Sequence, residues 1–427
     1  MAERDCGIEV YLTATPGIGG RLKAEPEDFV VEEVGSPPAE APDGKYVAAL
    51  IRSRNWETNR LVREMSRDLR MSRRRIGFAG TKDKRSVATR WFSFEATPEE
   101  VGRLRLADVE VLESHRAAKP VEIGDLRGNR FHIVVRDLAV PGDEAEVAAA
   151  TTLLQLRAAG GFPNFFGMQR FGSIRPITHV VGRHIVRGDY QAAVDAYVAN
   201  PIAGEDEGSF EAREALQDSG DYKAAFHEFP DSLGFEKAML GHLAGRPGDF
   251  VGALKALPFN LLLLFVHAYQ SSLFNRMVSE RIRRGLPLNQ PLAGDLLLPV
   301  GADGLVDRNR WVPVSEANLE KARVQCAAGK AFVSGTLIGT DSAISGGVMG
   351  EIEQSVLDAE GVRARHFVVP RIPRLSSKGT RRELACLVGK ISVEVSGDTA
   401  VLEFSLPRGA YATCLLREVL KDESGLG

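Results

Sequence analysis

The sequence predicts a mixed α/β fold divided into two domains, on three observations. The chain has 427 residues, about two to three times the usual single-domain length. Hydrophobic residues make up 44% and charged residues 26%, which is ordinary globular usage, apolar enough for a large core and against disorder. Strand patterns of period two fall toward both ends of the chain, while Ala-containing helical patterns fill its middle.

In chain order, residues 28–34 (Asp-Phe-Val-Val-Glu-Glu-Val) read as a strand, followed by a loop at the Pro-Pro-Ala-Glu-Ala-Pro run of 37–42. Residues 58–69 read as a helix, with Leu61, Val62, Met65 and Leu69 at helical spacing and Arg60, Arg63, Arg67 and Arg70 mostly on the other faces. A strand-like stretch follows at 91–94. In the strand expected at 130–136, Phe131, Ile133 and Val135 share one face and His132, Val134 and Arg136 the other. Residues 148–156 and 185–198 are each expected as helix. Leu257-Pro-Phe-Asn leads into a long helix through Ile282, apolar nearly all round from 261 to 274 and therefore a core helix. Strand character returns at 391–395 and 400–404, and 412–421 closes the chain as a helix. No repeat with a period of 20 to 50 residues is visible.

Charge divides the chain further. Lys and Arg total 54 against 57 Asp and Glu, a net charge of −3, so a polyanion site has to come from local clustering. Residues 52–90 hold 13 Lys and Arg against four acids, residues 205–237 hold ten acids against three bases, and residues 363–382 hold seven bases and no acid. Basic ends around an acidic middle suit an RNA-facing unit built from both termini around an inserted domain, although solvated faces give the same pattern. The cysteines, Cys6, Cys326, Cys386 and Cys414, have neither CxxC spacing nor paired histidines. They suggest no zinc site or disulfide framework and fit a reducing compartment. His179, His184, His227, His242 and His267 likewise lack metal-ligand spacing. The N-terminus has no signal-like run and no apolar stretch reaches membrane-spanning length, so a cytoplasmic protein without a membrane partner is expected.

The segment from Gly77 to Arg90, Gly-Phe-Ala-Gly-Thr-Lys-Asp-Lys-Arg-Ser-Val-Ala-Thr-Arg, carries the clearest chemistry. Asp83 stands between Lys82 and Lys84, and neighbouring cations favour a charged carboxylate ready to act as base or nucleophile. On its own, Lys-Asp-Lys is also a common surface triplet. The segment is no Walker loop, because GxxxxGK[ST] is absent. Its GxxG matches the loop of a KH module, but that loop joins two helices and strand-like residues follow here.

Residues 80–89 resemble the signature of the TruD family of pseudouridine synthases, Gly-x-Lys-Asp-x-x-Ala-x-Thr-x-Gln. Five further segments resemble the family in the same order: 23–33, 128–133, 161–172, 268–275 and 406–413. Their wording is closer to archaeal or eukaryotic members than to short bacterial ones. The chain departs from the pattern at Ser86 (usually Ala), Ala88 (usually Thr) and Arg90 (usually Gln), and Arg90 introduces a cation behind the loop.

The resemblance implies a pseudouridine synthase core with an antiparallel sheet, from 1–165 and 385–427, and an inserted, mostly helical TruD-specific domain at 166–384. RNA would enter a cleft between them. It implies an isomerase that converts uridine to pseudouridine in tRNA at position thirteen, without cofactor or metal. Asp83 would be catalytic, Phe131 would stack on the flipped uracil, and Asn129 would hydrogen-bond to Asp83 or the base. Phe29 and Tyr411 fall at base-contacting aromatic positions, and Lys82 and Lys84 would meet phosphates or tune Asp83. Each aromatic also reads as a core residue, and each lysine as a solvated one. The 161–172 segment, with Asn164, Gln169 and Arg170, is expected to be architectural first and RNA-contacting second. Arg60, Arg63, Arg67 and Arg70, the Arg73–Arg75 run and the 371–382 stretch are candidate phosphate contacts. Two rivals remain: a non-catalytic RNA-binding or chaperone protein, and a hydrolase using a second acid such as Glu32 or Glu33.

Overall fold

The computed structural model describes residues 2–172 and 174–422, so residue 1 and residues 423–427 of the expected catalytic spans lie outside the described residues. Contacts divide the chain into two compact units. One comprises Thr13–Ala158 with residues 387–422, and the other residues 2–12 with 159–386.

The first unit is built on a nine-stranded sheet. Its path runs Ile391–Ser396, Thr399–Pro407, Gly128–Arg136, Phe29–Val34, Val87–Phe94, Tyr46–Arg54 and Val109–Ala117. Short strands Arg21–Leu22 and Ile76–Phe78 pair with Gly128–Arg136 and Val87–Phe94. The expected antiparallel arrangement holds except between Phe29–Val34 and Val87–Phe94, which run parallel. Alternation on Gly128–Arg136 is as expected, with Phe131, Ile133 and Val135 buried. The helix Thr58–Asp68 begins where the Glu57 carboxylate accepts the N–H groups of Asn59 and Arg60, both at 2.8 Å. Its Leu61, Val62 and Met65 join a core with Val47, Ile51, Phe92 and Phe94, which fixes the helix on the sheet. Ile76–Phe78 is a strand, so Gly77 to Gly80 is not the helix-joining loop of a KH module.

The second unit is mostly helical, as expected, but it also carries a four-stranded antiparallel sheet of Val312–Pro313, Leu296–Pro299, Ala331–Leu337 and Thr380–Glu383. The helix expected at 185–198 is two helices, Thr178–Arg187 and Tyr190–Val198. Gly188 ends the first at φ +77°, and the Asp189 carboxylate caps the second. Phe259–Arg283 is the long core helix, with Leu262, Phe265, Val266, Leu273 and Phe274 all buried.

The unit boundaries differ from the expected 165/166 and 384/385. Residues 2–12 cluster with the second unit because the core helix holds them: Asn275 donates to the Cys6 carbonyl at 3.0 Å and Ser279 to the Gly7 carbonyl at 2.7 Å.

Two charged segments hold structural residues among solvated ones. In the acidic 205–237 stretch, buried Glu205 and Glu236 grip Arg213 at 2.8 and 2.7 Å, and Arg175 lies 3.0 Å from Glu205. These two acids hold the core, while the other eight acids of the stretch are exposed, as in a solvated face. In the basic 371–382 stretch, Arg381 is buried against Glu353 at 3.0 Å, and Arg382 donates to the Asn164 side-chain oxygen at 2.6 Å. Arg381 is therefore a structural residue, not a phosphate contact. All four cysteines are buried thiols, and among the described residues no helix is long and apolar enough to cross a membrane.

Candidate active site

Asp83 lies in the loop between Ile76–Phe78 and Val87–Phe94, in the sheet-based unit. Its side chain is 32% exposed, and Oδ2 accepts a hydrogen bond from Lys23 Nζ at 2.8 Å. A charge-assisted bond of that length fixes the carboxylate while leaving it open to a substrate. The Lys23 ammonium also sits 4.6 Å from the centroid of the Phe29 ring. Lys23 is thus a site residue that sequence reasoning quoted in a family segment without singling it out. Nothing in local spacing ties residue 23 to residue 83; the signal is the sheet.

Lys82, next in the chain, has a different task. Its Nζ donates to Glu33 Oε1 at 2.7 Å and to the Asn129 side-chain oxygen at 3.0 Å, and only 6% and 5% of the Lys82 and Glu33 side chains are exposed. Glu33 and Asn129 face each other across paired strands, which puts both on one side of the sheet. Burial pushes the Lys82 ammonium below its ordinary range, against the opposing pull of Glu33. The ammonium is therefore committed within the protein rather than offered to a phosphate, and the Asn129 amide N–H groups, which an ionised Asp83 could accept, make no hydrogen bond to Asp83 among the described residues. Glu33, the acid that a hydrolase would need, is neutralised by the same lysine. Glu32 projects from the opposite side of the strand, where Arg130 lies 3.9 Å away.

Beneath the loop, Arg90 is completely buried. One of its terminal nitrogens donates to the Gly80 carbonyl at 3.1 Å and to the Thr58 hydroxyl at 2.9 Å. Thr58 in turn accepts the Lys82 backbone N–H at 2.9 Å, so helix, loop and strand are pinned at one hydroxyl. The Ser86 hydroxyl closes the turn by donating to the Asp83 carbonyl at 2.7 Å. Burial pushes the Arg90 guanidinium down to about 10, so it stays a cation at neutral pH. Its Nε and other terminal nitrogen have no hydrogen-bond partner among the described residues, while the Phe92 ring centroid lies 4.9 Å from its central carbon. The departure from the family glutamine thus acts on the backbone of the Asp83 loop.

The aromatic residues form a packed row. Phe29 meets Phe131 edge-on at 6.0 Å between centroids, and Phe131 stacks on Phe404 at 5.2 Å. Phe131 is only 7% exposed, so in this structure one of its faces is occupied by protein. Tyr411 is half-buried at the N-cap of the Ala412–Leu420 helix, where its carbonyl accepts the Cys414 N–H. Lys84 is exposed and has no ion pair among the described residues. The structure therefore gathers Asp83, Lys23 and Phe29, with Phe131 against Phe29, and joins Lys82, Asn129 and Glu33. It leaves Lys84 in solvent. Among the described residues, no group of three or more His, Cys, Asp or Glu side chains is placed to hold a metal ion.

The model of the family described as tRNA pseudouridine synthase D (TruD) matches residues 5–419. A protein of Methanococcoides burtonii named probable tRNA pseudouridine synthase D is 41% identical over 428 residues, covering 99% of this chain and 97% of that one. A protein of the same name from Halobacterium salinarum is 41% identical over 434 residues, covering 98% and 97%. The crystal structure of a putative tRNA pseudouridine synthase D from Methanosarcina mazei superposes with a TM-score of 0.86 at 39% identity, covering 100% of this chain and 99% of that one. With a family model spanning nearly the whole chain and relatives of this identity along its full length, the chain belongs to the TruD family of tRNA pseudouridine synthases.

Proposed function

We propose that this protein isomerises uridine to pseudouridine in tRNA, at position thirteen, with Asp83 as the catalytic carboxylate and no cofactor or metal, in the cytoplasm. The N1–C1′ bond of the nucleotide breaks, the uracil turns, and C5 bonds to C1′, so nothing enters or leaves except a proton passed from C5 to N1. Asp83 either attacks C1′ or removes the 2′ proton, and both routes need a carboxylate held beside the ribose. The observation that carries the reading is the one carboxylate of the Gly80–Lys84 segment, one-third exposed and locked by Lys23 at 2.8 Å.

A uridine inside a helix is out of reach of such a group, so the nucleotide has to be extruded, at a cost of a few kcal/mol that stacking and phosphate contacts offset. Phe29, Phe131 and Tyr411 are assigned to the uracil, which Phe131 meets by its exposed rim, and Asn129 to the base edge. Lys84, exposed beside Asp83, is assigned to a phosphate. Lys82 holds Glu33 and Asn129 in place. Catalysis is assigned to the sheet-based unit.

The test is conversion of uridine in unmodified tRNA transcript, mapped by carbodiimide labelling and primer extension, with the wild-type protein beside Asp83→Asn. A stop at position thirteen with wild type alone is expected, with tRNA affinity of the variant retained. Conversion by Asp83→Asn overturns the assignment of Asp83 as the catalytic carboxylate. Binding without conversion by the wild type makes the protein an RNA-binding one.

A further inference from the structure

The helical unit contains a concave site lined by none of the residues gathered at Asp83. It is a cavity of about 360 Å³, large enough for a small-molecule ligand. Three segments meet there: Phe166 and Arg170 from the first, His267, Gln270 and Ser271 from the core helix, and residues 377–380 with Arg382 from the basic stretch, with Arg308 completing the wall. All belong to the unit that lacks Asp83.

Its chemistry is one-sided. Arg170, Arg308, Lys378 and Arg382 line the cavity and no carboxylate does. Arg308 is already balanced by Glu383, at 3.1 Å. Arg382 lies over the Phe166 ring, with 4.2 Å between its central carbon and the ring centroid, and Arg170 lies 5.8 Å from the same ring. Lys378 is exposed and has no ion pair among the described residues.

The turn that presents it is rigid. Ser377 and Lys378 accept the N–H groups of Thr340 and Asp341, and a Cβ on Gly379, at φ +79°, would lie 2.1 Å from the Ser342 hydroxyl.

Polar groups of the other kind are few and fixed. The buried Gln270 amide nitrogen donates to the Ile338 carbonyl at 2.6 Å and to the Ser377 hydroxyl at 2.9 Å. Both of its hydrogens are thereby used, and its side-chain oxygen is set as an acceptor. Ser271 donates to the His267 carbonyl at 2.8 Å, and burial beside Arg170 holds His267 below its ordinary range, so it is neutral and adds no charge.

We propose that this cavity takes one nucleotide of the bound RNA, with its phosphate on Lys378 and Arg170 and its base edge against the Gln270 oxygen. A lining of cations with no lining carboxylate fits a phosphodiester, and a fixed acceptor beside hydroxyls and an aromatic wall fits the hydrogen-bonding edge of an unpaired base. This assignment rests on the RNA-modifying reading above, and it adds a contact that serves affinity and not bond chemistry.

The test uses the full chain. Lys378→Glu, on an exposed side chain, is measured beside Lys321→Glu, a charge reversal on an exposed lysine of the same unit outside the cavity. Lys378→Glu is expected to weaken tRNA binding roughly three- to tenfold and to lower the slope of log K against log salt by about one, with Lys321→Glu unchanged. A transcript carrying 4-thiouridine is expected to cross-link to peptides containing residues 267–271 or 377–382.

Equal affinity and slope for wild type and Lys378→Glu, with cross-links only elsewhere, overturn the proposal while leaving conversion at Asp83 intact. A wild type that neither binds nor converts tRNA overturns the functional reading, and this proposal with it. Uridine monophosphate that binds wild type but not Lys378→Glu, with tRNA affinity equal in both, gives the cavity to a free nucleotide and overturns the RNA assignment.

Discussion

Two contacts decide how the Asp83 loop works. The Lys23 ammonium at 2.8 Å orients the carboxylate, so Lys23→Ala should leave tRNA affinity nearly unchanged and lower the single-turnover rate on the order of 100-fold, the penalty of a misplaced reacting group. A rate within a few-fold of wild type would make Lys23 a mere neighbour. Thr58 is fully buried and serves both the Lys82 N–H and Arg90. Thr58→Val keeps the shape but strands that N–H, and should cost about 1–3 kcal/mol of unfolding free energy in a denaturant titration, with a slower rate because the loop loses its anchor. Unchanged stability would mean the N–H has found another acceptor. Asp83 is singled out as a candidate by its own string of residues. Lys23 is not, because Asp83 lies 60 positions away and only folding brings the two together, and the packing of Phe131 on Phe404 is hidden for the same reason.

Individual elements were read well wherever one face alone had to be apolar. The Thr58–Asp68 helix and the Gly128–Arg136 strand lie where their periodicity put them. The break at Gly188 and Asp189 was missed, although a helix-ending glycine followed by a capping aspartate was written there. Apolar residues at helical spacing on both sides, Ile185 and Val186 before it and Ala193 and Val194 after it, concealed it. The arginines of the 58–68 helix are less available than their count suggests, since Arg63 and Arg67 both engage Glu64 at 3.0 Å. Helix packing is tightest at Gly182 in Thr178–Arg187, where a Cβ would lie 1.9 Å from the Phe265 carbonyl of the core helix. Gly182→Ala should therefore force the two helices apart at a cost of about 1–3 kcal/mol or more, read as a lower melting temperature with the sheet-based unit's near-ultraviolet signal preserved below the transition. A melting temperature equal to wild type would show that the helices separate freely.

For the molecule as a whole, a net charge of −3 gives no hint of an RNA partner, and binding has to come from local cations. The slope of log K against log salt should be about −0.9 for each phosphate neutralised on double-stranded RNA-like sites and about −0.7 on single strands, so tRNA affinity measured from 50 to 200 mM salt should fall steeply. A flat response would return the basic segments to solvent. Conversion should also survive exhaustive EDTA treatment, and a loss restored by added metal would overturn a carboxylate acting alone. By itself, the sequence determined the mixed fold, the position of Asp83 and the family, because helix and strand periods and a contiguous signature are local properties of the chain. Only the tertiary structure decided what the charges do. It buried Arg381, Glu205 and Arg90, tied Lys82 to Glu33, and left Lys84 and Lys378 in solvent. Whether a charge meets water or a partner depends on residues brought beside it by folding, and their separation in sequence does not disclose them.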